Sequence, residues 1–365
     1  MEKSNDKVQV FNLIILDKSG SMSCIEKAAV AGFNETVGGI RSAQKQFSAT
    51  QEHFVSLLTF CSCSMEYVYD CVPVDEVKTL TSKEYQPCCG TPLYDAMGRG
   101  INDLLKKTKD IEGASVVVTV ITDGEENSSH EYSGKAIKAL VDKMQKDNGW
   151  NFAYIGTNQD VEAVAVSLSI TNTMLFEDTD EGMKEAWEKE RKSKQRMYSR
   201  MDDAVCYCCE APAPMSAEER VRHIHDVLRK NKNYQEASEF SHRVTPEHIN
   251  ELRPGQVFVF GSNNRGSHSG GAAALALRFG AVVGQAEGIQ GNSYAIVSMD
   301  GLDVIREQAE RFIRFAKEHP TRTFLVTAIG CGVAGYTPEQ VAPLFVKAVD
   351  VENIWLPQSF WNELI

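Results

Sequence analysis

The stretch SVVVTVITD, residues 115–123, decides the fold class of this chain. Between its serine and its aspartate every residue is Val, Thr or Ile, so polar and apolar side chains do not alternate. Such a run is typical of a strand that is covered on both faces, as in a parallel sheet flanked by helices. The stretch therefore predicts an α/β fold.

The rest of the first half alternates apolar runs with amphipathic stretches, which predicts an α/β domain at residues 1–185. The expected strands are 8–16, 53–61, 67–74, 115–122 and 152–155, and the expected helices are 25–46, 93–107 and 136–144. The segment 181–203 is rich in charge and is expected to form an exposed helix. We therefore assign 186–218 to a charged helix and linker.

A second α/β domain is predicted at residues 219–365, so the expected architecture is two three-layer α/β domains. Its expected strands are 256–260, 294–297, 323–329 and 354–356, and its expected helices are 270–280, 304–318 and 338–349. A further helix is predicted to precede them, because Ser216 and Glu219 have the spacing of a capping box. It would extend to about residue 230.

Composition limits the classes of partner and compartment. The chain has 365 residues and a net charge of −12, which argues against a nucleic acid as the main partner. No apolar run is long enough to span a membrane, and the first residues lack the apolar core of a signal peptide. The 10 cysteines are therefore expected to be reduced thiols in a cytoplasmic protein.

Oxygen donors occur at every second position after the first predicted strand, in LDKSGSM, residues 16–22. Two further donors stand where other elements meet the same edge of a parallel sheet: a threonine before a predicted helix and the aspartate of SVVVTVITD. Oxygen ligands of this kind suit Mg²⁺ or a similar hard cation. The candidate ligands are Asp17, Ser19, Ser21, Thr91 and Asp123. Thr91 is also expected to cap the helix that follows Pro92.

These motifs, in this order, resemble the metal-ion-dependent adhesion site (MIDAS) of von Willebrand factor A (vWA) domains. The resemblance implies a Rossmann-like domain that holds Mg²⁺ or Mn²⁺ and offers its open coordination position to an acidic side chain of a partner protein. Hydrolysis at this site is not expected, because no histidine accompanies the ligands. Two alternatives stay open: that Asp17 and the serines only cap a helix, and that the metal binds another copy of the chain.

Glycine-rich loops follow two predicted strands of the second half, in GSNNRGSHSGGA, residues 261–272, and in AIGCGVAGYT, residues 328–337. Glycine allows the backbone to approach a ligand closely, and free amides at such loops bind phosphate. Two such loops predict a clamp on a diphosphate. Neither loop has the lysine of a P-loop, and no acidic residue is placed as in a dinucleotide fingerprint.

These loops resemble those of the macro domain, an ADP-ribose-binding fold. The resemblance implies an ADP-ribose-type, NAD-derived nucleotide as ligand and ADP-ribosyl hydrolysis as a possible activity, with Asn263 and His268 as the catalytic candidates. The ligand-binding candidates are Gly261, Ser262, Asn263, Gly270, Gly271, Gly330, Cys331, Gly332, Val333, Ala334, Gly335 and Tyr336. The alternatives are binding without chemistry, in a nucleotide sensor or scaffold, and a His268 that only caps a helix or faces solvent.

Clustered cysteines leave two questions open. Cys206, Cys208 and Cys209 precede two histidines, but their spacing departs from that of known zinc sites, and packing cysteines are the alternative. Cys88 and Cys89 directly precede Gly90 and Thr91, so a redox effect on the metal loop is a hypothesis.

Overall fold

The structure is a computed structural model that describes residues 7–123, 125–157, 161–210, 215–230, 240 and 242–365. The chain forms two compact units, Met1–Tyr234 and Gln235–Ile365. Each unit contains one sheet in which parallel pairs predominate, together with packed helices. The predicted fold class, two α/β domains, is confirmed.

The sheet of the first unit has six strands in the order β3-β2-β1-β4-β5-β6. The strands are β1 Val8–Asp17, β2 Gln51–Cys61, β3 Ser64–Pro73, β4 Ser115–Thr122, β5 Asn151–Gly156 and β6 Asn172–Leu175. Only the pair β2–β3 is antiparallel, and it forms one edge. All eight residues of β4 are buried, as its unbroken β-branched run predicts.

The described helices of the first unit are α1 Glu26–Gln46, α2 Leu93–Thr108, α3 Gly134–Asn148, α4 Val161–Ser167, α5 Asp180–Glu210 and α6 Ala217–Lys230. One apolar face of β1, β2, β4 and β5 packs against α2 and α3 in a continuous core. The capping box before α6 is confirmed, because Ser216 Oγ accepts from the Glu219 amide and Glu219 accepts from the Ser216 amide. The sequence analysis missed α4 and β6.

Helix α5 corrects the prediction of an exposed helix at 181–203. Two of its aromatic side chains, Trp187 and Tyr198, are almost completely buried, whereas a third, Tyr207, is exposed. Tyr198 donates to Asn12 Oδ1 of β1 at 2.5 Å, and Gln51 Nε2 of β2 donates to the Tyr198 carbonyl at 2.7 Å. Thr119 Oγ1 of β4 donates to Glu190 at 2.7 Å. The charged residues of α5 concealed an apolar stripe, and the helix is an integral layer of the first unit.

The sheet of the second unit has five strands in the order β11-β10-β7-β9-β8. They are β7 Gln256–Ser262, β8 Gly288–Gln290, β9 Ser293–Val297, β10 Thr323–Val326 and β11 Ile354–Trp355. The helices are α7 Gly271–Ala276, α8 Leu302–Glu318, α9 Pro338–Val341 and α10 Gln358–Leu364. The predicted helix 338–349 is α9 followed by a 3₁₀ segment, Ala342–Ala348. The sequence analysis missed β8 and α10.

Arg243, near the start of the second unit, contacts residues near the end of the chain. Its guanidinium donates to the carbonyls of Val349 and Val351 at 2.6 and 2.7 Å, and it lies over the rings of Phe240 and Trp361. Charge-assisted hydrogen bonds and cation–π contacts replace the water that a buried arginine loses. Among the described residues, no helix is long and apolar enough to cross a bilayer.

Candidate metal site and candidate ligand cleft

The predicted metal ligands meet where the first sheet changes its direction of winding. β1 lies between β2 and β4. The next strand in sequence, β2, pairs with one side of β1, and β4 pairs with the other side. Leu16 pairs with Ile121, so the next residues of both strands leave the sheet side by side. Asp17 ends β1, and Asp123 follows β4. A switch point of this kind is where open α/β sheets bind ligands.

Hydrogen bonds join the oxygen donors into one chain. Ser21 Oγ donates to Asp123 Oδ1 at 2.7 Å, and the hydroxyls of Ser19 and Ser21 are 3.2 Å apart. Asp17 Oδ1 accepts from the Ser19 amide at 2.7 Å, and its Oδ2 accepts from Thr122 Oγ1 at 2.6 Å. The structure therefore brings Asp17, Ser19, Ser21 and Asp123 together, as their spacing predicts.

Thr91 is buried in the loop before α2, and it does not cap that helix. The N-cap residue is Pro92, which makes no side-chain capping bond, so the capping prediction for Thr91 is wrong. Instead, Asn127 holds Thr91 from both sides: Asn127 Oδ1 accepts from the Thr91 amide at 2.9 Å, and the Asn127 amide donates to the Thr91 carbonyl at 3.1 Å. The threonine hydroxyl is thereby not engaged in helix capping.

Four residues that the sequence analysis missed hold this arrangement. Tyr85 donates its hydroxyl to the Asp17 carbonyl at 2.6 Å, and Thr157 donates to the Asp123 carbonyl at 2.8 Å. Glu126 accepts from the Ser128 and Ser129 amides at 2.9 and 2.7 Å and thus shapes the loop that carries Asn127. Their positions could have indicated three of them, because Glu126 and Asn127 follow Asp123 within four residues and Thr157 follows β5 at the same edge of the sheet. Residues 158–160 lie outside the described residues.

The two carboxyls of the site are held in an environment that disfavours their charged forms. Burial raises the pKa of Asp17 to about 6, although its hydrogen bonds from Thr122 and Ser19 act in the opposite direction. Burial also raises the pKa of Asp123, and the nearby Asp178 carboxylate adds to this effect. Asp123 Oδ2 is buried and has no hydrogen-bond partner among the residues that the structure describes. An unpartnered carboxylate oxygen in such a place fits a site that a cation completes.

The glycine loops of the second unit also meet at a switch point. β7 lies between β9 and β10, and the loops that follow β7 and β10 border one cleft of about 350 Å³. Gly261 must be small, because a Cβ there would lie 2.7 Å from Ser298 Oγ. Gly330 has a φ of +77°, a backbone conformation that favours glycine. The predicted convergence of the two loops is thus present.

Most of the predicted ligand-binding residues line this cleft. Those that do are Gly261, Ser262, Asn263, Gly270, Gly271, Gly330, Gly332, Val333 and Ala334. Cys331, Gly335 and Tyr336 are absent from its lining. The Tyr336 ring packs against Gly330 at the place where a Cβ would be. Ser298 and Thr327, which follow β9 and β10, also line the cleft and were not predicted.

The two catalytic candidates of the cleft differ in their freedom. Asn263 shapes its own loop, because its Oδ1 accepts from the amides of Arg265 and Ser267 at 3.1 and 3.2 Å. His268 is 3% exposed and contacts the Phe260 ring edge-on, so the alternative of a solvent-facing histidine is wrong. Its Nε2 lies 3.1 Å from the Gln285 carbonyl, and its buried Nδ1 has no partner.

The cysteines also depart from expectation. Cys63 and Cys89 form a disulfide, so the prediction that all 10 cysteines are reduced is wrong for this pair. Within the described ranges, the one group of three or more His, Cys, Asp or Glu side chains close enough to share an ion is Cys63, Cys88 and Cys89. Cys206, Cys208 and Cys209 do not form such a group with the described histidines.

Comparisons with known proteins give likenesses of fold at low identity. No family profile matches the sequence, and no curated protein matches it. Proximal thread matrix protein 1 from the mussel byssus is similar at 11% identity and a TM-score of 0.36, over 50% of this chain and 45% of that chain. The pilus adhesin SpaC from Lactobacillus rhamnosus GG is similar at 15% and 0.39, over 53% and 31%. The chain thus spans less than half the length of both structures.

The VWA domain of SpRpn10 is similar at 14% identity and a TM-score of 0.36, over 49% of this chain and 93% of that chain. These matches cover about half of this chain, and their identities are too low to transfer a function. The function of this chain has to be inferred from its own side chains.

Proposed function

We propose that the first unit is a vWA-type, metal-dependent protein-binding domain. Asp17, Ser19, Ser21, Thr91 and Asp123 would hold Mg²⁺ or Mn²⁺, which prefer oxygen ligands. The observation that carries the proposal is the buried, unpartnered Oδ2 of Asp123 beside two linked serine hydroxyls. An acidic side chain of a partner protein would complete the coordination of the ion.

The chemistry of the ligand set favours capture of a carboxylate. Three of the five ligands are neutral hydroxyls, so only Asp17 and Asp123 bring negative charge to the ion, and an open coordination position can still accept an acidic side chain. In this structure Asp17 is tied by hydrogen bonds to Thr122 and Ser19, which orients its carboxylate before any ion binds. A preorganised site of this kind loses little free energy in ordering its ligands.

Mn²⁺ provides a direct test, because its binding and its bound water are both measurable by magnetic relaxation. The full chain should bind one Mn²⁺, and Asp123→Asn should abolish that binding. Asp110→Asn removes the same charge from an exposed position and should have no effect. A glutamate-containing peptide should then displace water from the bound Mn²⁺, whereas its glutamine analogue should not. Equal Mn²⁺ affinity in wild type and Asp123→Asn would refute the metal site.

A second candidate function concerns the second unit, which we propose binds an ADP-ribose-type nucleotide. Its support is the cleft bordered by two glycine loops at a switch point, with a volume typical of small-molecule sites. Buried Nδ1 of His268 can accept from a ligand hydroxyl when Nε2–H donates to Gln285. A ribose offers such a hydroxyl, and the glycine amides suit a diphosphate.

Substitution at Gly332 tests this binding without disturbing the fold. A Cβ at Gly332 meets nothing within 4 Å, and the residue lines the cleft. ADP-ribose should raise the melting temperature of the wild-type chain. Gly332→Glu should abolish the shift by placing a carboxylate against the diphosphate, while the isosteric Gly332→Gln should reduce it less. No shift in the wild type at millimolar ADP-ribose would refute the nucleotide site.

Hydrolysis is the finer form of this proposal, with Asn263 orienting a ribose and His268 as proton acceptor. Incubation with mono-ADP-ribosylated protein should then release ADP-ribose, and Asn263→Ala and His268→Gln should slow the release. If both variants release ADP-ribose at the wild-type rate, the second unit only binds the nucleotide, as in the sensor or scaffold alternative.

Light scattering with and without Mg²⁺ tests the metal site of the first unit, because it separates capture of a partner from self-association through the metal.

A further inference from the structure

A cluster of four cysteine side chains lies beside the candidate metal site and shares no residue with it. Cys61 ends β2, and Cys63 stands in the turn to β3. Cys88 and Cys89 belong to the loop that leads to Thr91. The Sγ atoms of Cys63, Cys88 and Cys89 lie within 4.8 Å of one another, and Cys61 Sγ is 3.5 Å from Cys88 Sγ.

We propose that the reduced chain binds a thiophilic divalent cation, Zn²⁺, through the thiolates of Cys61, Cys63, Cys88 and Cys89. Zinc with four thiolates is tetrahedral with Zn–S distances of about 2.3 Å, which places neighbouring sulfurs about 3.8 Å apart. The 3.5 Å between the Cys61 and Cys88 sulfurs is close to that separation, and the sulfurs of Cys63, Cys88 and Cys89 lie within 4.8 Å of one another. After reduction the bonded sulfurs of Cys63 and Cys89 have to move apart, and Cys61 has to approach them to complete the set.

Hydrogen bonds that do not involve the sulfurs hold the turn that carries Cys61 and Cys63 and the loop that carries Cys88 and Cys89. The Ser62 amide donates to the Gly90 carbonyl at 2.9 Å, and the Gly90 amide donates to Ser62 Oγ at 2.9 Å. The Cys88 amide donates to the Lys18 carbonyl at 2.8 Å. These bonds fix the turn and the loop against each other. A set of ligands fixed in this way needs little rearrangement to surround an ion.

Cys89 adopts a conformation that a non-glycine residue rarely takes. Its φ is +64°, in the left-handed region, where a side chain is strained. Such strain persists where the surroundings impose it, and it recurs at functional sites. In this conformation the Cys89 sulfur meets that of Cys63, across the turn, as well as that of the adjacent Cys88.

Metal binding requires the disulfide between Cys63 and Cys89 to be opened first. A thiol reductant supplies two electrons and two protons, so that it becomes a disulfide itself and leaves two thiols in the chain. Each of the four thiols then loses its proton when it binds the cation. The bound ion would clip the β2–β3 turn to the loop before Thr91. This proposal does not depend on metal binding at Asp17 and Asp123.

Cobalt(II) tests the proposal, because thiolate ligands give it intense charge-transfer absorption and tetrahedral ligation gives it strong visible bands. The full chain, reduced and freed of metal, should bind one Co²⁺ with both signatures, and Zn²⁺ should displace it. Serine at any of the four cysteines should remove or weaken the bands. Cys24→Ser and Cys209→Ser, at exposed cysteines outside the cluster, should leave them unchanged. Asp123→Asn should also leave them unchanged, because a site of oxygen ligands has only weak bands.

Three results would overturn the proposal. One is a wild-type chain with all thiols free that shows no charge-transfer band with Co²⁺, a result that needs no variant to fold. Another is a band that keeps its full intensity in both Cys61→Ser and Cys88→Ser. The third is a Cys63–Cys89 disulfide that persists in the presence of reductant and excess Zn²⁺.

Discussion

Metal binding to the first unit should weaken as the pH falls, because Asp17 must lose a proton before it can bind a cation. Its carboxyl is buried, and its pKa is raised to about 6. Ligand protonation multiplies the apparent dissociation constant by one plus the ratio of protonated to ionised ligand. From about pH 7.5 to about pH 5 this factor rises from near unity to about ten. The raised pKa of Asp123 acts in the same direction, so about tenfold is a lower bound.

Calorimetric titration with Mn²⁺ measures both the affinity and the protons released. In two buffers of different ionisation enthalpy, binding should release about 0.9 proton at about pH 5 and almost none at about pH 7.5. Asp110→Asn is the matched control, since Asp110 is an exposed carboxylate outside the site. It should reproduce the wild-type pH dependence.

An affinity that changes less than about twofold over this range, with no proton released at about pH 5, would refute the reasoning. It would mean that Asp17 is ionised before the cation arrives. Burial would then not control its charge, and the orientation of its carboxylate by Thr122 and Ser19 would be the dominant effect.

Two further predictions concern stability. Gly32→Ala should destabilise the first unit by more than about 2 kcal/mol in urea unfolding, because the added Cβ would lie 1.9 Å from the Trp187 ring of α5. Gly38→Ala is the control in the same helix, and it should be neutral or stabilising because a Cβ there meets nothing within 4 Å. Equal effects of the two substitutions would contradict the packing of α5 on α1. Burial lowers the pKa of His53 from 6.5 to about 3, so the folded chain binds fewer protons than the unfolded chain in that window and stability falls as the pH drops below about 6.5. The loss should reach roughly 2 kcal/mol at about pH 5. In a metal-free Asp17→Asn background, which removes the opposing titration of that carboxyl, His53→Gln should flatten this pH profile, and an unchanged slope would contradict it.

The first unit was largely predictable because its signals are local. β4 is an unbroken β-branched run, and Asp17 ends the neighbouring strand β1 at the edge of the sheet where Asp123 follows β4. Parallel strands bring their carboxyl ends together, so Asp17 and Asp123 could be placed side by side from sequence order alone. Thr91 was placed for a wrong reason, since it is held by Asn127 rather than by helix capping.

The parts that were missed depend on contacts distant in sequence. α5 reads as a solvated helix because charge dominates its composition, whereas Trp187 and Tyr198 bury one stripe of it against elements from the first 60 residues. The cysteine cluster joins a turn and a loop that lie 26 residues apart, and spacing alone gives no sign of that contact. Ser298 lines the cleft because β9 lies next to β7 in the sheet, and no local sequence pattern indicates that strand order.

The hydrogen bonds of the metal site distinguish a cation-binding role from a catalytic one. Ser21 donates to Asp123 and Thr122 donates to Asp17, so each hydroxyl stabilises a carboxylate whose charged form is disfavoured by burial. A general base would need a lone pair directed at a substrate proton, whereas both oxygens of Asp17 already accept hydrogen bonds from Ser19 and Thr122. Here one oxygen, Asp123 Oδ2, is left buried without any donor, although a neighbouring hydroxyl already serves its twin. A divalent cation would satisfy that oxygen and offset the burial of both carboxyls at once. The arrangement of these oxygens therefore favours the proposed binding of an ion over proton transfer.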